Sequence, residues 1–390
     1  MDNLSENRSV RAVESDSDMQ VFLITSWKRN EPPRNGSDLR LLCLEQACMS
    51  SDRIDTQVVD HFPYAANGGR ASELAARWGW LFFPNSRFAA KVAAAQRDSD
   101  VVVLHRLGAA WASAPSDLAK CIVDVDDIPS QICEQGLCRG PRILAPLKWL
   151  RFCWVRQAEK QSLKRFGAVL VCSEDDARYL GLDNVHVVHN AFPREAIVSD
   201  DSTAIEPSDL LFVGELAYKP NEQGLRWFIE HVFPKIRRKR PGTTLRVVGR
   251  VPAKIPDAWD WRFADGVEFV GSVPSIPPYL DSTTLSICPL LEGRGTRIKI
   301  LESLALKRCV VSTTIGAYGL ALGKDSGVCR ADAIEDFAEC CDRLLSDPET
   351  RIRAAEQGQR IVRELYSPES AMRSFLSVVK TVGRNREALQ

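Results

Sequence analysis

A glycine-rich segment followed by charged side chains is the part of this 390-residue chain best suited to chemistry. It reads Glu292-Gly-Arg-Gly-Thr-Arg297 and opens directly into a predicted helix that carries Lys299 and Glu302. Glycines let the backbone approach a ligand closely, and a helix N-terminus offers free N–H groups and a partial positive charge to an anion. Arginine can hold phosphate oxygens in a bidentate fork. The pattern predicts a cradle for a nucleoside diphosphate, with Glu302 accepting hydrogen bonds from sugar or ribose hydroxyls.

The elements that must position this segment are short apolar runs, predicted as strands, that alternate with helical patterns. The predicted strands are Val21–Thr25, Thr56–Val59, Val101–Leu104, Ile122–Val125, Ala168–Cys172, His186–Val188, Leu210–Val213, Leu245–Val248, Val267–Val270, Leu285–Cys288 and Val310–Thr313. Continuous apolar strands separated by helices indicate parallel sheets that are covered on both faces. Right-handed crossovers then predict an α/β protein with two doubly wound, Rossmann-like sheets.

The length of the chain favours two domains, since 390 residues exceed one ordinary core. Residues 1–18 are polar and acidic and are predicted to be a disordered tail. An N-terminal domain is predicted over 19–193 and a C-terminal domain over 209–366. Residues 194–208 are polar without periodicity and are predicted to be the linker between them. The last segment, 367–390, is predicted to be an amphipathic helix from Ser367 to about Val382.

Composition excludes several classes of protein. Lys plus Arg and Asp plus Glu both number 51, so no overall field favours nucleic acid. We expect neither a signal peptide nor a membrane-spanning helix, because no apolar run is long enough. The 12 cysteines form no C-x-x-C pair, so buried reduced thiols, no metal site and a cytoplasmic location are expected.

Two ordered motifs resemble retaining GT-B glycosyltransferases, particularly the large bacterial family four, the glycosyl transferases group 1 of polysaccharide biosynthesis. The residues that match the donor-binding signature are Pro289, Glu292, Gly293, Gly295, Leu301, Glu302, Ser303, Val310, Val311 and Ser312. Residues 210–236 are similar to the first strand, loop and helix of that family's C-terminal domain. The resemblance runs from Met19 to the C-terminus and is weaker in the first half. It implies the GT-B fold, two Rossmann-like domains that face a central cleft, with the last helix returning to the N-terminal domain.

Two positions depart from the family pattern. Many relatives have two glutamates that bracket the glycine loop seven residues apart, whereas here Glu292 and Glu302 are separated by two more residues, as if Thr296-Arg297 were inserted. Relatives often carry an Arg and a Lys after the first strand of the second domain, and here only Lys219 is present. The basic side chains of Arg297 and Lys299 are expected to compensate.

The resemblance implies a donor site on the C-terminal domain. The residues expected to bind the donor are Gly214, Glu215, Lys219, Arg250, Gly293, Arg294, Gly295, Thr296 and Glu302. Those given catalytic roles are His105, Glu292, Arg297 and Lys299. The basic groups would neutralise the leaving diphosphate, and Glu292 with the glycine backbone would orient the sugar. His105 ends a strand and suits a substrate contact or acid–base role, although a structural histidine would occupy the same place.

The N-terminal domain supplies the residues expected at the acceptor side of the cleft. They are Gly36, Ser37, Arg40, Asp126, Asp127 and Asn190. Each has an alternative explanation. Ser37 or Asp38 would cap an ordinary helix, the acidic cluster at Asp124, Asp126 and Asp127 would cap a helix or hold a divalent cation, and Asn190, beside His189, would form a turn. Ser173 is predicted as the N-cap of a helix whose first turn is acidic.

Basic and aromatic residues interleave over residues 142–166, where Trp149, Phe152 and Trp154 lie among Arg and Lys. Residues 77–84 (RWGWLFFP) form a second aromatic group. Such segments suit docking on an anionic membrane or on a lipid-linked acceptor. A long helix of a soluble protein that buries aromatics on one side gives the same pattern.

The resulting hypothesis is a metal-independent glycosyltransferase with no cofactor beyond its donor. It would move a sugar from a nucleoside-diphosphate sugar to a hydroxyl acceptor that is a polysaccharide, a lipid-linked glycan or a small metabolite. The resemblance also leaves room for a sugar-nucleotide epimerase of the same fold, which needs no acceptor. A non-catalytic nucleotide-sugar-binding protein is the third hypothesis. The sequence leaves the base, the sugar and the acceptor open.

Overall fold

Two sheets of six strands each form the framework of the molecule. The computed structural model describes residues 19–25, 36–50, 54–59, 86–113, 115–137, 142–192, 208–252, 259–293, 295–323 and 325–387. Within these ranges the paired strands run parallel to their neighbours. The prediction of two doubly wound parallel sheets is therefore confirmed. The tail 1–18, the linker residues 194–207 and the aromatic segment 77–84 lie outside the described residues.

The first sheet has the strand order β2-β1-β3-β4-β5-β6. Its strands are β1 (Met19–Thr25), β2 (Ile54–Val59), β3 (Val101–His105), β4 (Cys121–Asp124), β5 (Ala168–Val171) and β6 (Val185–Val187). Its helices are α1 (Gly36–Met49), α2 (Ser86–Asp98), α3 (Leu107–Ser113), α4 (Pro129–Gln135), α5 (Ala145–Leu163) and α6 (Glu174–Leu180), and a 3-10 turn (Arg142–Leu144) precedes α5. β3, β4 and β5 are buried at every residue, as expected of apolar strands covered on both faces.

The second sheet has the order β12-β11-β10-β7-β8-β9. Its strands are β7 (Ser208–Val213), β8 (Leu245–Val248), β9 (Val267–Gly271), β10 (Thr283–Cys288), β11 (Cys309–Ser312) and β12 (Val328–Arg330). Its helices are α7 (Lys219–Trp227), a π-helical turn (Phe228–Val232), α8 (Phe233–Lys239), a 3-10 turn (Asp260–Phe263), α9 (Pro277–Asp281), α10 (Ile298–Ala305), α11 (Ile334–Ser346) and α12 (Pro348–Leu365). Ser208, which the sequence placed in the linker, is the buried first residue of β7, because it pairs with Thr283 of β10.

In each sheet the later strands are added on both sides of the first strand in the chain, so the direction of growth reverses at that strand. In the first sheet, β1 lies between β2 and β3, and in the second, β7 lies between β8 and β10. Ligands of open α/β sheets bind outside the carboxyl ends of the strands at such a switch point. The loops that follow β7 and β10 are therefore the expected site of the second domain, and these loops begin at Gly214 and Pro289.

The last helix, α13 (Pro368–Glu387), leaves the second domain and packs on the first sheet. Its buried face places Phe375 and Val379, both 0% exposed, in one cluster with Leu41 and Leu44 of α1. Cys43 of α1 lies beside the start of α13, with its sulfur 3.8 Å from the carbonyl oxygen of Pro368. The last helix of the chain thus completes the core of the first domain.

One cysteine pair departs from the expected reduced thiols. Cys329 of β12 and Cys340 of α11 are joined by a disulfide bond. The bond could not be predicted from the sequence, since the two residues are 11 apart and become neighbours only when α11 folds back along the edge strand. Nine further cysteines of the described residues have free thiols, and most of these are buried.

We predict that Phe375→Ala destabilises the first domain by about 3–5 kcal/mol, because it removes a fully buried aromatic ring from the contact between α13 and α1. Urea unfolding followed by circular dichroism measures the change in the free energy of unfolding. Ser374→Ala is the matched control, since its side chain is exposed one residue away, and a change below about 0.5 kcal/mol is expected there. Equal effects of the two substitutions would contradict the packing of α13.

Candidate functional site

The loop between β10 and α10 has the backbone that close approach to a ligand requires. Gly293 and Gly295 have φ of +107° and +84°, in the left-handed region that glycine alone adopts without strain. Arg297 follows in an extended conformation as the N-cap of α10, so Lys299 lies in the first turn of that helix. Arg294, between the two glycines, lies outside the described residues.

Lys299 is held between the two loops of the switch point. Its ammonium donates to the Oδ1 atom of Asn221 at 2.9 Å and lies 4.7 Å from the centre of the Phe212 ring. A Cβ atom at Gly214 would come within 2.8 Å of that ammonium, which explains why a glycine directly follows β7. Burial lowers the pKa of Lys299 to about 8, with the charge of Arg297 acting in the same direction and Cys288 and Glu302 opposing it.

Glu302 lies one helical turn after Lys299 on α10. Burial raises the pKa of its carboxyl to about 7, and the positive charge of Lys299 opposes that rise. Both side chains are half-buried, so each keeps a part accessible to a ligand. An acid and a base with pKa values displaced toward each other are typical of functional sites.

The loop after β7 meets the glycine loop because β7 and β10 are paired neighbours. The guanidinium of Arg297 lies 2.7 Å and the hydroxyl of Tyr218 lies 3.6 Å from where a Cβ atom of Gly293 would stand. Asn221 donates through its Nδ2 atom to the carbonyl oxygen of Glu215 at 2.9 Å. The two loops therefore form one surface, with Arg297 and Lys299 as its basic groups.

Three of the predicted donor residues lie at the margin of this surface. Glu215 and Arg250 form an ion pair whose side chains are 43% and 65% exposed. Lys219 is the exposed first residue of α7. A pair so exposed contributes little to stability, which leaves both partners available to a ligand. Thr296 and Glu292 are half-buried in the glycine loop, and the hydroxyl of Thr296 has no hydrogen-bond partner among the described residues.

A buried network occupies the end of the first sheet. The Nε atom of Arg40 donates to Asp124 at 2.9 Å, and its Nη1 atom donates to the carbonyl oxygen of Val188 at 2.7 Å and to Asn190 at 2.8 Å. The Nδ1 atom of His105 lies 2.7 Å from the other oxygen of Asp124. Burial alone would raise the pKa of Asp124, but Arg40 and the hydrogen bond from His105 hold it well below its usual range.

This network corrects three of the predictions. Arg40 and Asn190 were expected to contact an acceptor and His105 was expected to face the cleft, yet the three residues are 2%, 5% and 0% exposed. Arg40 is turned inward because Asp124 needs a compensating charge in the core. The Nε2 atom of His105 is buried and has no hydrogen-bond partner among the described residues. The structure therefore does not place these residues on an open surface.

The acidic residues after β4 do reach the open edge of the first domain. Arg106, with φ of +73°, lies 3.5 Å from Asp126 and 3.7 Å from Asp127. The hydroxyl of Ser37, at the start of α1, donates to Asp126 and accepts from Arg106 at 3.2 Å. Asp127 has 59% of its side chain exposed.

Two helix starts of the first domain were also predicted. α1 begins at Gly36, and Ser173 caps α6 by accepting from the backbone N–H of Asp176 at 3.1 Å.

The two domains approach each other at this edge. The hydroxyl of Tyr318, which follows β11, lies 3.4 Å from both Gln131 of α4 and Asp176 of α6. The desolvation of Asp127 raises its pKa, with Asp126 adding to the rise, while Arg106 and, from the second domain, Arg297 oppose it. The acidic edge of one domain therefore faces the basic loop of the other.

Sequence reasoning missed five residues of this region. They are Arg106, Asp176, Tyr218, Asn221 and Tyr318. Asn221 had a signal, because a polar side chain in the first turn after a predicted strand and loop faces the same switch point as the glycine segment. Tyr318 had none, since its partners lie more than 140 residues away in the chain. Within the described ranges, no group of three His, Cys, Asp or Glu residues is placed to hold a metal ion, and no helix is long and apolar enough to cross a membrane.

Comparison with known proteins bears on the second domain most directly. Residues 207–347 match the family model described as Glycosyl transferases group 1. The chain is 28% identical over 126 residues to an uncharacterized 44.6 kDa protein in the cps region of Klebsiella pneumoniae, covering 30% of this chain and 32% of that protein. It is 30% identical over 162 residues to glycogen synthase of Mycobacterium tuberculosis, covering 39% of this chain and 38% of that enzyme. The chain thus matches about a third of the length of these relatives.

Solved structures share the fold over nearly the whole chain. Sucrose-phosphate synthase from Thermosynechococcus elongatus superposes with a TM-score of 0.66 at 14% identity, over 93% of this chain and 99% of that one. HepE from Anabaena in complex with UDP gives a TM-score of 0.65 at 12% identity, over 93% and 100%. WaaG, a glycosyltransferase involved in lipopolysaccharide biosynthesis, gives 0.57 at 13% identity, over 91% and 98%. Residues 207–347 are therefore similar to the glycosyl transferases group 1, and the chain has the GT-B fold of two facing Rossmann-like domains.

Proposed function

We propose that this protein transfers a sugar from a nucleoside-diphosphate sugar to a hydroxyl acceptor, with retention at the anomeric carbon and without a metal ion. The observation that carries the proposal is the basic cradle at the switch point, where Arg297 and Lys299 flank the left-handed backbone of Gly293 and Gly295. The structures of HepE with UDP and with UDP-glucose support a uridine nucleotide as the first ligand to test.

The cradle is suited to the charge that develops when a diphosphate leaves the sugar. Arg297 and Lys299 bring two positive charges to one loop, and the first N–H groups of α10 add partial positive charge beside them. Lys299 bears its charge in a place where burial opposes it. A diphosphate that arrives there supplies the missing compensation, and the interaction strengthens as the leaving group gains negative charge.

Glu302 and Glu292 would hold the polyol parts of the donor. Glu302 lies on the same helix as Lys299, so a nucleotide whose diphosphate contacts the ammonium brings its ribose within reach of the carboxylate. Glu292 begins the glycine loop on the other side and would orient the transferred sugar. Asp126 and Asp127, on the facing domain, would bind acceptor hydroxyls, with Asp127 the more exposed of the two.

We predict that Lys299→Met weakens UDP binding ~10–100-fold, because a charge-assisted hydrogen bond to phosphate contributes about 1.5–3 kcal/mol. Isothermal titration with UDP measures the dissociation constant. Lys307→Met is the matched control, since Lys307 lies just beyond the same helix and is 50% exposed beside Glu356. A Kd for Lys299→Met within twofold of that of the wild type would contradict the assignment of the cradle.

Turnover gives the direct test of the activity. We predict that the wild type releases UDP from a UDP-sugar in the presence of hydroxyl acceptors, with the same rate after dialysis against EDTA. Arg297→Ala should lower kcat ~100-fold, as expected when one preorganised group that stabilises the leaving charge is removed. The exposed Arg373→Ala is the control and should keep the full rate.

The same assay separates the competing hypotheses. Isomerised nucleotide sugar without acceptor would identify an epimerase, and UDP binding without release of UDP from any donor would identify a binding protein. The anomeric configuration of the product, read by proton NMR, decides whether the transfer retains it. Either a strict need for a divalent cation or an inverted product would overturn that part of the proposal.

We predict that the affinity for UDP is highest between about pH 7 and pH 8. Above about pH 8 Lys299 loses its proton and its charge, and below about pH 7 Glu302 becomes neutral and accepts hydrogen bonds from ribose hydroxyls less well. Lys299→Arg keeps a positive charge at high pH and should remove the alkaline decline, whereas Glu302→Gln should remove the acidic one. Titrations from pH 5.5 to 9.5 in buffers of equal ionic strength measure both, and an alkaline decline that persists in Lys299→Arg would exclude Lys299 as its source.

A further inference from the structure

Helix α5 has a buried stripe on one side and an exposed apolar stripe on another. Its buried residues are Val155, Glu159 and Leu163, all in the C-terminal half of the helix, where they pack on the first domain. A second stripe starts in the preceding turn and has the spacing i, i+4, i+7 and i+11, which places its members on one side of a helix. These residues are Ile143, Leu147, Leu150 and Trp154, and they are 85%, 64%, 60% and 53% exposed.

The two stripes lie on nearly opposite sides. At about 100° per residue, the exposed stripe is centred ~150° away from the buried one. None of the residues from Ile143 to Trp154 is buried. Trp149 is also 57% exposed, but it lies about 130° around the helix from the centre of this stripe, and Ile132 of the neighbouring helix α4 is 59% exposed. Clusters of large exposed apolar side chains on a soluble domain mark interaction surfaces.

The charge of this region has one sign. Between Glu134 and Glu159 the sequence contains no acidic residue, whereas the chain as a whole has equal numbers of acidic and basic residues. The basic residues of the interval are Arg139, Arg142, Lys148, Arg151 and Arg156. Arg156 lies over the ring of Tyr179, 4.3 Å from the ring centre, so this side chain is held against the first domain. An apolar stripe that ends in tryptophan, within a segment whose charged residues are all basic, has the composition of a helix that lies in the surface of an anionic membrane.

The helix is firmly attached to the first domain. The buried carboxylate of Glu159 accepts from the backbone N–H of Ser130 at 3.0 Å and from its hydroxyl at 2.7 Å, which caps the N-terminus of α4. α4 begins at Pro129, two residues after Asp127. The exposed stripe is thus connected through one short, capped helix to the acidic edge of the cleft.

We propose that the exposed stripe of α5, Ile143, Leu147, Leu150 and Trp154, docks this protein on the surface of a bilayer that contains anionic phospholipid. The apolar side chains enter the boundary between headgroups and acyl chains, and the net positive charge of the segment attracts the anionic lipid phosphates. A protein partner would have to match the same apolar stripe with acidic residues of its own, and nothing in the fold favours that occupant. The docking stands independently of the transferase activity, whereas one consequence rests on it, namely that the acceptor side of the cleft faces molecules carried by the membrane.

Flotation with vesicles tests the docking. We expect the full-length protein to float with vesicles of phosphatidylcholine containing about 30% phosphatidylglycerol, and to lose at least tenfold in partition either on phosphatidylcholine alone or at 0.5 M salt, where exposed charges are screened. The double substitution Leu147→Glu with Leu150→Glu should also lower the partition at least tenfold. It should leave the thermal unfolding temperature and the affinity for UDP unchanged, because neither side chain packs in the core.

A matched control is available on the other domain. Phe263 and Ile352 are 74% and 55% exposed, so Phe263→Glu with Ile352→Glu removes a comparable apolar area outside the stripe and should leave flotation intact. Failure of the wild type to float at low salt would overturn the docking, and so would equal losses in the two double variants. If light scattering instead shows a dimer that only Leu147→Glu with Leu150→Glu dissolves, without flotation of the wild type, the stripe binds a second copy and the membrane proposal is wrong. UDP binding is measured without vesicles, so failure of the proposed function would be seen separately.

Discussion

The charge of Lys299 is the constraint on which the arrangement of the second domain depends. Burial opposes this charge. The Asn221 amide, the face of the Phe212 ring and the Glu302 carboxylate stabilise it. These partners come from β7, α7 and α10, so they meet only if β7 and β10 are neighbours in the sheet. The glycine at 214 follows from the same requirement, since any side chain there would occupy the place of the ammonium. The ammonium of Lys299 therefore has its stabilising partners only in this strand order.

The two domains are joined by a small set of aromatic contacts beside the cleft. Phe192, at the end of the first domain's described chain, is buried in the core cluster of the second domain, and its N–H donates to the carbonyl oxygen of Tyr366 at 3.1 Å. Tyr366 in turn accepts from the N–H of Ala321 at 2.6 Å and lies against the ring of His189, with the ring centres 4.7 Å apart. A few aromatic contacts thus join the domains beside the cleft, and most of each core belongs to one sheet. Such a junction permits the two sites to move relative to one another while remaining face to face.

Much of the fold could be predicted because the strands are uniformly apolar. Val101–His105 and Ala168–Val171 are buried on both faces, and such runs are unmistakable among polar helices. The glycine segment could also be interpreted, since the left-handed backbone at Gly293 and Gly295 requires glycine at both positions. β12 was not predicted, because a strand of two half-buried residues and one exposed residue produces no periodic signal. The Cys329–Cys340 bond was missed for a related reason, as it depends on how that short strand meets α11.

The predictions for the first domain show where sequence reasoning ends. A polar residue at the carboxyl end of a parallel strand is expected to face a ligand, and the rule selected His105, Arg40 and Asn190 alongside Asp126 and Asp127. In the structure, the charges of the neighbouring side chains decide which of these residues are buried and which lie at the edge. Asp124 is buried with its carboxylate ionised, so it draws Arg40 and His105 inward, and Asn190 completes the hydrogen bonds of Arg40.

Asp126 and Asp127 remain at the edge because Arg106, in a left-handed conformation that few residues other than glycine adopt, is held beside them. Arg40, His105 and Asn190 are thus used within the core around Asp124, whereas Asp126 and Asp127 form the negative side of the cleft. Across from it, Arg297 supplies the positive side. The proposed transfer depends on this asymmetry, because a diphosphate is attracted to the basic wall of the second domain and repelled by the acidic wall of the first.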